Sequence, residues 1–305
     1  MTEPLVGVII LNTNRKEDTL ACLSSLQKSQ YQNTIVWVLD NSSTDGSVEA
    51  IEKQFPQTRI INLTENKGYA GNNNVGISTA LEAGSDWILV LNEDTILDSY
   101  TISNLLQFAV SQPQAGILGP MVYHFDEPAV IQSAGGIITK DWQAVHKGQN
   151  EPDQGQYPEP IQVDWISGCA FLIKREVIQQ VGVIDERYFY YWEETEWCIR
   201  TRNAGWQIWM VPQAKIWHKG VQRNYQPSPN VTYYATRNRL MTLSKHHAPL
   251  VNRLVVNLSL LRTLFAWSIK PKWKNQKSHR NALLQGMIDY YSRHFGIRRK
   301  IKILE

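Results

Sequence analysis

Continuous apolar runs alternate with amphipathic and loop-like stretches through the first 120 residues. LVGVIIL (5–11) is one such run, the pattern of a strand covered on both faces. Asp18 and Thr19 offer an N-cap to a helix that carries Leu20, Leu23 and Leu26 on one side. TIVWVL (34–39) predicts a second strand ending in the turn cluster DNSSTDGS, after which Val48, Ile51 and Phe55 recur at helical spacing. RIINL (59–63), the Gly/Asn loop NKGYAGNNN, a helix through Val75, Ile77 and Leu81, and the strand DWILVL (86–91) continue the series. This alternation predicts an α/β fold with a mostly parallel, Rossmann-like sheet and right-handed crossovers. Ligands of such sheets sit beyond the carboxyl ends of the strands. Those ends carry Asn12, Thr13 and Asn14, then Asp40 and Asn41, then Asn92, Glu93 and Asp94.

The rhythm breaks after residue 115. GILGPMVY and VIQSAGGIITK read as strands around turns, and the polar Pro/Gly-rich stretch 147–160 as a mobile surface loop. DWISGCAFLIK reads as a strand pair or strand–loop–strand, REVIQQVG as a short helix, and EETEWCIRTRNAG as a helix closed by Gly205. QIWMV and AKIWHK read as two short strands, and everything from Tyr233 onward as helical. In that last part, Leu254, Leu258, Leu261 and Phe265 form one apolar stripe, and Leu283, Met287, Tyr290 and Tyr291 a second. The expected division is one domain over 1–245, in halves 1–115 and 116–245, followed by a basic amphipathic helical tail over 246–305.

Charge sharpens the view of that tail. Net charge is only +3 over 305 residues, yet residues 249–305 hold 12 Lys and Arg against 2 Asp and Glu, a balance of +10, leaving −7 for residues 1–248. Two apolar stripes flanking KPKWKNQKSHR suit an anionic membrane face; packing against the preceding domain or a second subunit accounts for them too. The apolar stretch Leu254–Ile269 is short for a span and includes Asn257 and Arg262. Basic and aromatic residues are not interleaved on a strand platform, which argues against nucleic acid as a partner. Cys22, Cys169 and Cys198 have neither disulfide nor zinc spacing. With no basic leader at the N-terminus, the expected location is the cytoplasm, peripheral on the inner face of the membrane.

Several strand ends and helix starts carry candidate chemistry. A carboxylate at Asp40 can accept from the ring N–H of uracil or thymine; turn formation, with Asp45 capping the next helix, also explains it. Asn66, Gly68, Gly71 and Asn73 precede a helix, where glycines admit close backbone approach and the helix start attracts phosphate. The spacing matches neither the dinucleotide fingerprint nor the Walker loop. Asn92-Glu93-Asp94 suits Mg²⁺ or Mn²⁺ shared with substrate phosphates, and equally a turn in which Thr95 and Asp98 cap a helix. Glu193 and Glu194 fall in a first helical turn, where acids are favoured anyway. Glu196 and Arg200 read as an i,i+4 surface pair, and His218 alone as a core histidine.

Taken in order, VIILNTN, VLDNSSTDGS, NKGYAGNNNVG, LVLNEDT, SGCAFLIKREVI, GVIDERYFYYWEETEWCIR, IWHKG and YYATRNRL resemble the inverting GT-A glycosyltransferases of family 2, especially a rhamnosyltransferase-like bacterial group, across roughly residues 5–245. The resemblance implies that Asp40 and Asn41 contact the donor base, with Asn12 and Asn14 at the neighbouring strand end. It implies that Asn66, Gly68 and Asn73 line the ribose and diphosphate, and that Ser167, Gly168 and Cys169 line the donor sugar. Asp94 corresponds to the last acid of the family's D-x-D metal motif and His218 to its later ligand, implying a divalent cation, Mg²⁺ or Mn²⁺. Glu194 corresponds to the second acid of the family's E-D pair, the catalytic base. Two departures stand out: Asn92 occupies the first D-x-D position, and the pair reads Glu193-Glu194. The implied function is catalysis by residues 1–245, with a nucleotide-binding half (1–115) and an acceptor half (116–245), of sugar transfer from a dTDP-, UDP- or GDP-sugar, dTDP-rhamnose among them, to a saccharide or lipid-linked hydroxyl in cell-surface polysaccharide synthesis. An oligomer is compatible with it. A sugar nucleotidylyltransferase and a non-catalytic carbohydrate-binding protein are the alternatives. The first lacks its Gly-rich basic signature at NTNRKEDT, and the second has no use for Asp94, Glu194 and His218 together.

Overall fold

The first apolar run becomes β1 (Val6–Asn12), which sits between β2 (Thr34–Asp40) and β4 (Trp87–Asn92), parallel to both. The structure, a computed structural model, describes residues 3–220 and 222–299. The end of the expected tail, 300–305, lies outside the described residues. β3 (Arg59–Asn62) extends the sheet beyond β2. Helices α1 (Lys16–Gln27), α2 (Ser47–Gln54) and α3 (Gly68–Glu82) make the crossovers between these strands. The chain therefore leaves β1 toward β2 on one side and later returns to its other side as β4. That reversal opens a crevice at the carboxyl ends of the strands.

Beyond β4 the sheet becomes mixed. β5 (Thr95–Leu97), α4 (Thr101–Ser111), β6 (Ala115–His124), β7 (Ile131–Ser133), β8 (Gly136–Ile138), β9 (Ala144–His146), β10 (Ile161–Gln162), β11 (Ala170–Lys174), α5 (Arg175–Val181), α6 (Glu193–Asn203) and β12 (Gln207–His218) follow. The main order is β10-β12-β6-β11-β4-β1-β2-β3, with β11 antiparallel to β4 and β6, and β12 parallel to β6. The two runs expected as short strands, QIWMV and AKIWHK, are one strand, β12, with an irregularity between Val211 and Lys215. α1 begins before the expected cap: the Lys16 N–H donates to Asp45 Oδ2 (2.8 Å), while the Thr19 hydroxyl donates to Asn12 Oδ1 (2.9 Å). Residues 147–160 lie on the surface, held in part by the Tyr123 hydroxyl donating to Asp153 (2.6 Å).

Alternate residues of each central strand feed two cores. Ile9, Leu39 and Val90 point to one face of the sheet; Val8, Ile10, Val38 and Leu89 point to the other. Fully burying each such side chain contributes roughly 1.5–3 kcal/mol, which is why the strands are apolar throughout.

Three helices end the chain: α7 (Pro229–Lys245), α8 (Leu250–Ile269) and α9 (Lys277–Tyr291). Leu240, Leu243, Val256, Leu283 and Met287 form their common core. The second predicted stripe is thus divided: Leu283 and Met287 are spent on internal packing, and Tyr291 is exposed. The first stripe faces solvent entirely. Leu250, Leu254, Leu258, Leu261, Phe265 and Ile269 are 50–75% exposed, and at 3.6 residues per turn they fall within about 100° of arc.

Candidate active site

A cleft of about 420 Å³ opens beyond the carboxyl ends of β1, β2 and β4. Asn41, Asn66, Gly68, Asn92, Asp94 and His218 line it, brought together from four parts of the chain. Asn12, Asp40 and Asn73 do not. The Asn12 amide donates to Asp40 Oδ1 (2.8 Å) and to the Ser47 hydroxyl (2.9 Å), and the Ser43 N–H donates to Asp40 Oδ2 (2.9 Å). Both Asp40 oxygens are engaged and the residue is buried, so it anchors the turn after β2 and Asn41 faces the cleft. Asn14, at φ 52°, accepts from the Thr44 N–H (2.7 Å) and braces the same turn. Asn73 donates to the Tyr69 carbonyl (2.9 Å) within α3.

Strand pairing explains why His218 meets Asp94. His218 stands opposite Thr95 where β12 pairs with β5. Its Nε2 lies 3.1 Å from Asp94 Oδ1, and its Nδ1 lies 2.7 Å from Gln132 Oε1. An amide oxygen only accepts, so that contact assigns the proton to Nδ1 and leaves the Nε2 lone pair toward the cleft. The Asp94–His218 approach lacks hydrogen-bond alignment, and Asp94 Oδ1 is buried without a partner. A Cβ at Gly220 would come within 2.5 Å of Asp94 Oδ2 and 3.2 Å of His218 Nε2, so the space before the pair is kept open. Among the described residues no three His, Cys, Asp or Glu side chains converge on one point. An oxygen and an imidazole nitrogen with room in front fit a divalent cation completed by substrate phosphates. Next to them, burial and the Asp94 charge push Glu93 up to about 7.

The acid pair opens α6 behind the cleft wall. Neither Glu193 nor Glu194 lines the cavity, but Tyr69, Tyr190 and Tyr191 do. The Tyr69 hydroxyl donates to the Gly168 carbonyl, and a Cβ at Gly168 would sit 3.5 Å from the Glu194 carboxyl carbon. Burial pushes both acids up. The charge of Glu194 adds to the rise at Glu193, whereas N–H groups of Glu194, Thr195 and Gly168 partly offset burial at Glu194. The arrangement favours a neutral Glu193 beside an ionisable Glu194. The Ser167–Cys169 loop thus stands against the acid, not in the cavity wall. Ser167 donates to Cys169 Sγ (3.3 Å), and burial pushes the Cys169 thiol up to about 12.

The chain reaches α6 through an unusual turn: Phe189, Tyr191 and Trp192 have φ of 64°, 65° and 75°. Gly68, at φ 72°, lies so close beneath it that a Cβ would meet the Phe189 carbonyl oxygen. In the Glu196–Arg200 pair, expected at the surface, Glu196 is instead fully buried and Arg200 half-buried: Glu196 takes Arg200 Nε (2.9 Å), Lys245 Nζ (2.8 Å) and His246 Nε2 (3.0 Å). α7 covers α6 there, which the spacing did not reveal. Arg15, Tyr69, Tyr190, Tyr191 and Tyr225 also line the cleft without having been singled out. Their only sequence signal is adjacency to strand ends and to the acid pair.

Comparison with known proteins agrees with this geometry. The model of the family described as glycosyl transferase family 2 matches residues 7–182. The chain is similar to the N-acetylglucosaminyl-diphospho-decaprenol L-rhamnosyltransferase of Mycobacterium tuberculosis, 30% identical over 219 residues, covering 64% of this chain and 70% of that protein. It is similar to the dTDP-rhamnosyl transferase RfbF of Shigella flexneri, 27% identical and covering 94% and 96% of the two chains. In fold it is similar to the mannosyltransferase PcManGT of Pyrobaculum calidifontis, solved with GDP-Man and Mn²⁺: TM-score 0.58, 14% identity, 95% and 88% covered.

Proposed function

This chain belongs to glycosyl transferase family 2, and we propose that it transfers a sugar from a nucleoside-diphosphate donor to a saccharide or lipid-linked hydroxyl with inversion. A deoxythymidine-linked rhamnose is the first donor to try, because the two rhamnosyltransferases named above are its relatives. The observation that carries the reading is the meeting of Asp94, His218, Asn41 and Asn66 in one cleft with two buried carboxyls directly behind its tyrosine wall. A nucleotidylyltransferase has no need of a second buried acid pair.

In the proposed reaction the acceptor oxygen attacks the anomeric carbon while Glu194 takes the hydroxyl proton. The bond from that carbon to the diphosphate oxygen breaks, and the nucleoside diphosphate leaves with the electron pair. One displacement inverts the centre, and no enzyme nucleophile is needed. Glu193, neutral beside it, leaves Glu194 as the single charged base. Asp94 and His218 would hold a divalent cation, which when bound supplies positive charge against the diphosphate. Asn41 and Asn66 would orient the donor by hydrogen bonds.

We further assign residues 1–245 to catalysis and 246–305 to a peripheral attachment on an anionic membrane. The exposed apolar face of α8 and the Lys270–Arg280 cluster support that placement. The central test is a screen of dTDP-, UDP- and GDP-sugars for nucleoside-diphosphate release with Mn²⁺ or Mg²⁺. Release from one donor, stimulated by an acceptor glycan, is the expected result; release of a nucleoside triphosphate from pyrophosphate and a nucleotide sugar would replace this reading with nucleotidyl transfer.

A further inference from the structure

Asn238, in α7, is fully buried and does not line the cleft, yet its side chain reaches the turn that delivers the acid pair. We propose that Asn238 is a positioning residue for the transfer reaction: it fixes the Phe189–Trp192 turn and thereby sets where Glu194 stands. The inference rests on Glu194 being the base. The Asn238 amide donates to three carbonyls of that segment, Tyr188 (2.9 Å), Tyr190 (2.9 Å) and Tyr191 (2.6 Å). Its Oδ1 accepts from Arg237 Nε (2.9 Å), which fixes the amide's orientation.

The turn needs such a clamp. Phe189, Tyr191 and Trp192 all occupy the left-handed region, and none is glycine. Backbone of this kind persists only where its surroundings over-determine it. α7 supplies the surroundings from one face. Arg237 donates to the Arg187 (3.1 Å) and Tyr188 (2.9 Å) carbonyls, Thr242 meets the Tyr188 hydroxyl (2.7 Å), and Lys245 pairs with Asp185 (2.6 Å). Beyond Tyr188, Tyr234 of α7 stacks on the Phe189 ring (5.6 Å between centroids) and the Ala70 N–H of α3 donates to the Phe189 carbonyl (3.4 Å), while Asn238 hydrogen-bonds the Tyr190 and Tyr191 carbonyls that lead into α6. Trp192 is the residue that starts α6, so a shift of the turn is a shift of Glu193 and Glu194.

Asn238→Asp isolates the clamp. It keeps the volume and the contact with Arg237 but aims an oxygen at three carbonyl oxygens. Asn41, Asn66 and Asn92 line the cleft from other elements, whereas Tyr190 and Tyr191 line it from the turn itself, so the donor Kd should rise by at most about tenfold while kcat falls by about 10²-fold, the cost of misplacing a reacting group by about 1 Å. The acid limb of the kcat–pH profile should move as well, because the burial of Glu194 and its N–H partners depend on the turn. Asn238→Ser, which keeps one hydroxyl donor, should lose less. Circular dichroism and melting curves would establish that the variants are folded. A folded N238D with kcat within about threefold of wild type and an unmoved acid limb overturns the proposal. Failure of both variants to fold assigns Asn238 to folding and overturns it too. Glu194→Gln run in parallel separates the two claims. An active E194Q retires the base assignment, whereas an inactive E194Q beside a fully active N238D retires the positioning role alone.

Discussion

Exchanging Glu194 for Gln preserves the side chain's size and removes both its charge and its capacity to take a proton. Burial raises the pKa of this carboxyl and the nearby N–H groups of Glu194, Thr195 and Gly168 partly offset the rise, whereas Glu193 beside it is driven further toward neutrality by burial and by the Glu194 charge. With Glu194 as the proposed base, its loss should lower kcat by about 10²–10⁴-fold, roughly 3–5 kcal/mol in the barrier. Glu193→Gln, which replaces a neutral acid by a neutral amide, should cost less than about tenfold. Because burial raises the Glu194 pKa above its ordinary value, wild-type kcat should rise with pH through that pKa, and E194Q should lack this limb. Stability should move the other way. A carboxyl whose folded pKa is raised binds its proton more tightly folded than unfolded. Its contribution is then fully present below the unfolded value and lost as pH rises through the folded one. E194Q should therefore melt higher than wild type at pH 8, by ~2–4 °C for each kcal/mol of relieved burial cost, and about equal to it near pH 4. Nucleoside-diphosphate release, isothermal titration with the donor and calorimetry at the two pH values measure the three quantities. An E194Q enzyme within tenfold of wild type, or a dead E193Q beside an active E194Q, would refute the reasoning.

Chelation with EDTA should abolish transfer and Mn²⁺ or Mg²⁺ should restore it, and Asp94→Asn should raise the metal concentration needed; undiminished turnover after exhaustive chelation removes the cation from the reaction. Gly68→Ala should destabilise the fold by about 2–5 kcal/mol, from the positive φ and the clash with Phe189 together; urea unfolding within about 0.5 kcal/mol of wild type would deny the close approach. Anionic vesicles should sediment the protein and neutral ones should not, with salt weakening the binding at about 1 kcal/mol per basic residue. Replacing Leu254, Leu258 and Phe265 by Ser should remove the salt-resistant part; if the triple variant instead sediments as the parent does, α8 is not the contact.

Much of the nucleotide-binding half was legible because its elements carry local signals. Strands buried on both faces must be apolar throughout, so β1, β2 and β4 announced themselves. The strand-end rule then gave the cleft and its residues Asn41, Asn92 and Asp94. The order of motifs carried the family. Pairings across long sequence separations were not legible, because nothing local encodes them. His218 reads as an ordinary buried histidine until β12 sets it opposite Thr95. Asp40 reads as a ligand until Asn12 and Ser43 take both its oxygens. Glu196 and Arg200 have the spacing of a solvated helix pair, and only the arrival of Lys245 and His246 at the end of α7 encloses Glu196. Amphipathic spacing likewise gave both stripes of the tail but not their fates. Leu283 and Met287 found partners in α7 and α8, while the α8 stripe was left facing water. The sequence thus determined which stretches form strands and helices and which residues are candidates for chemistry, since those follow from side-chain periodicity and type. Tertiary structure alone decided which charged and apolar groups are desolvated, because desolvation depends on what packs against a side chain from elsewhere in the chain.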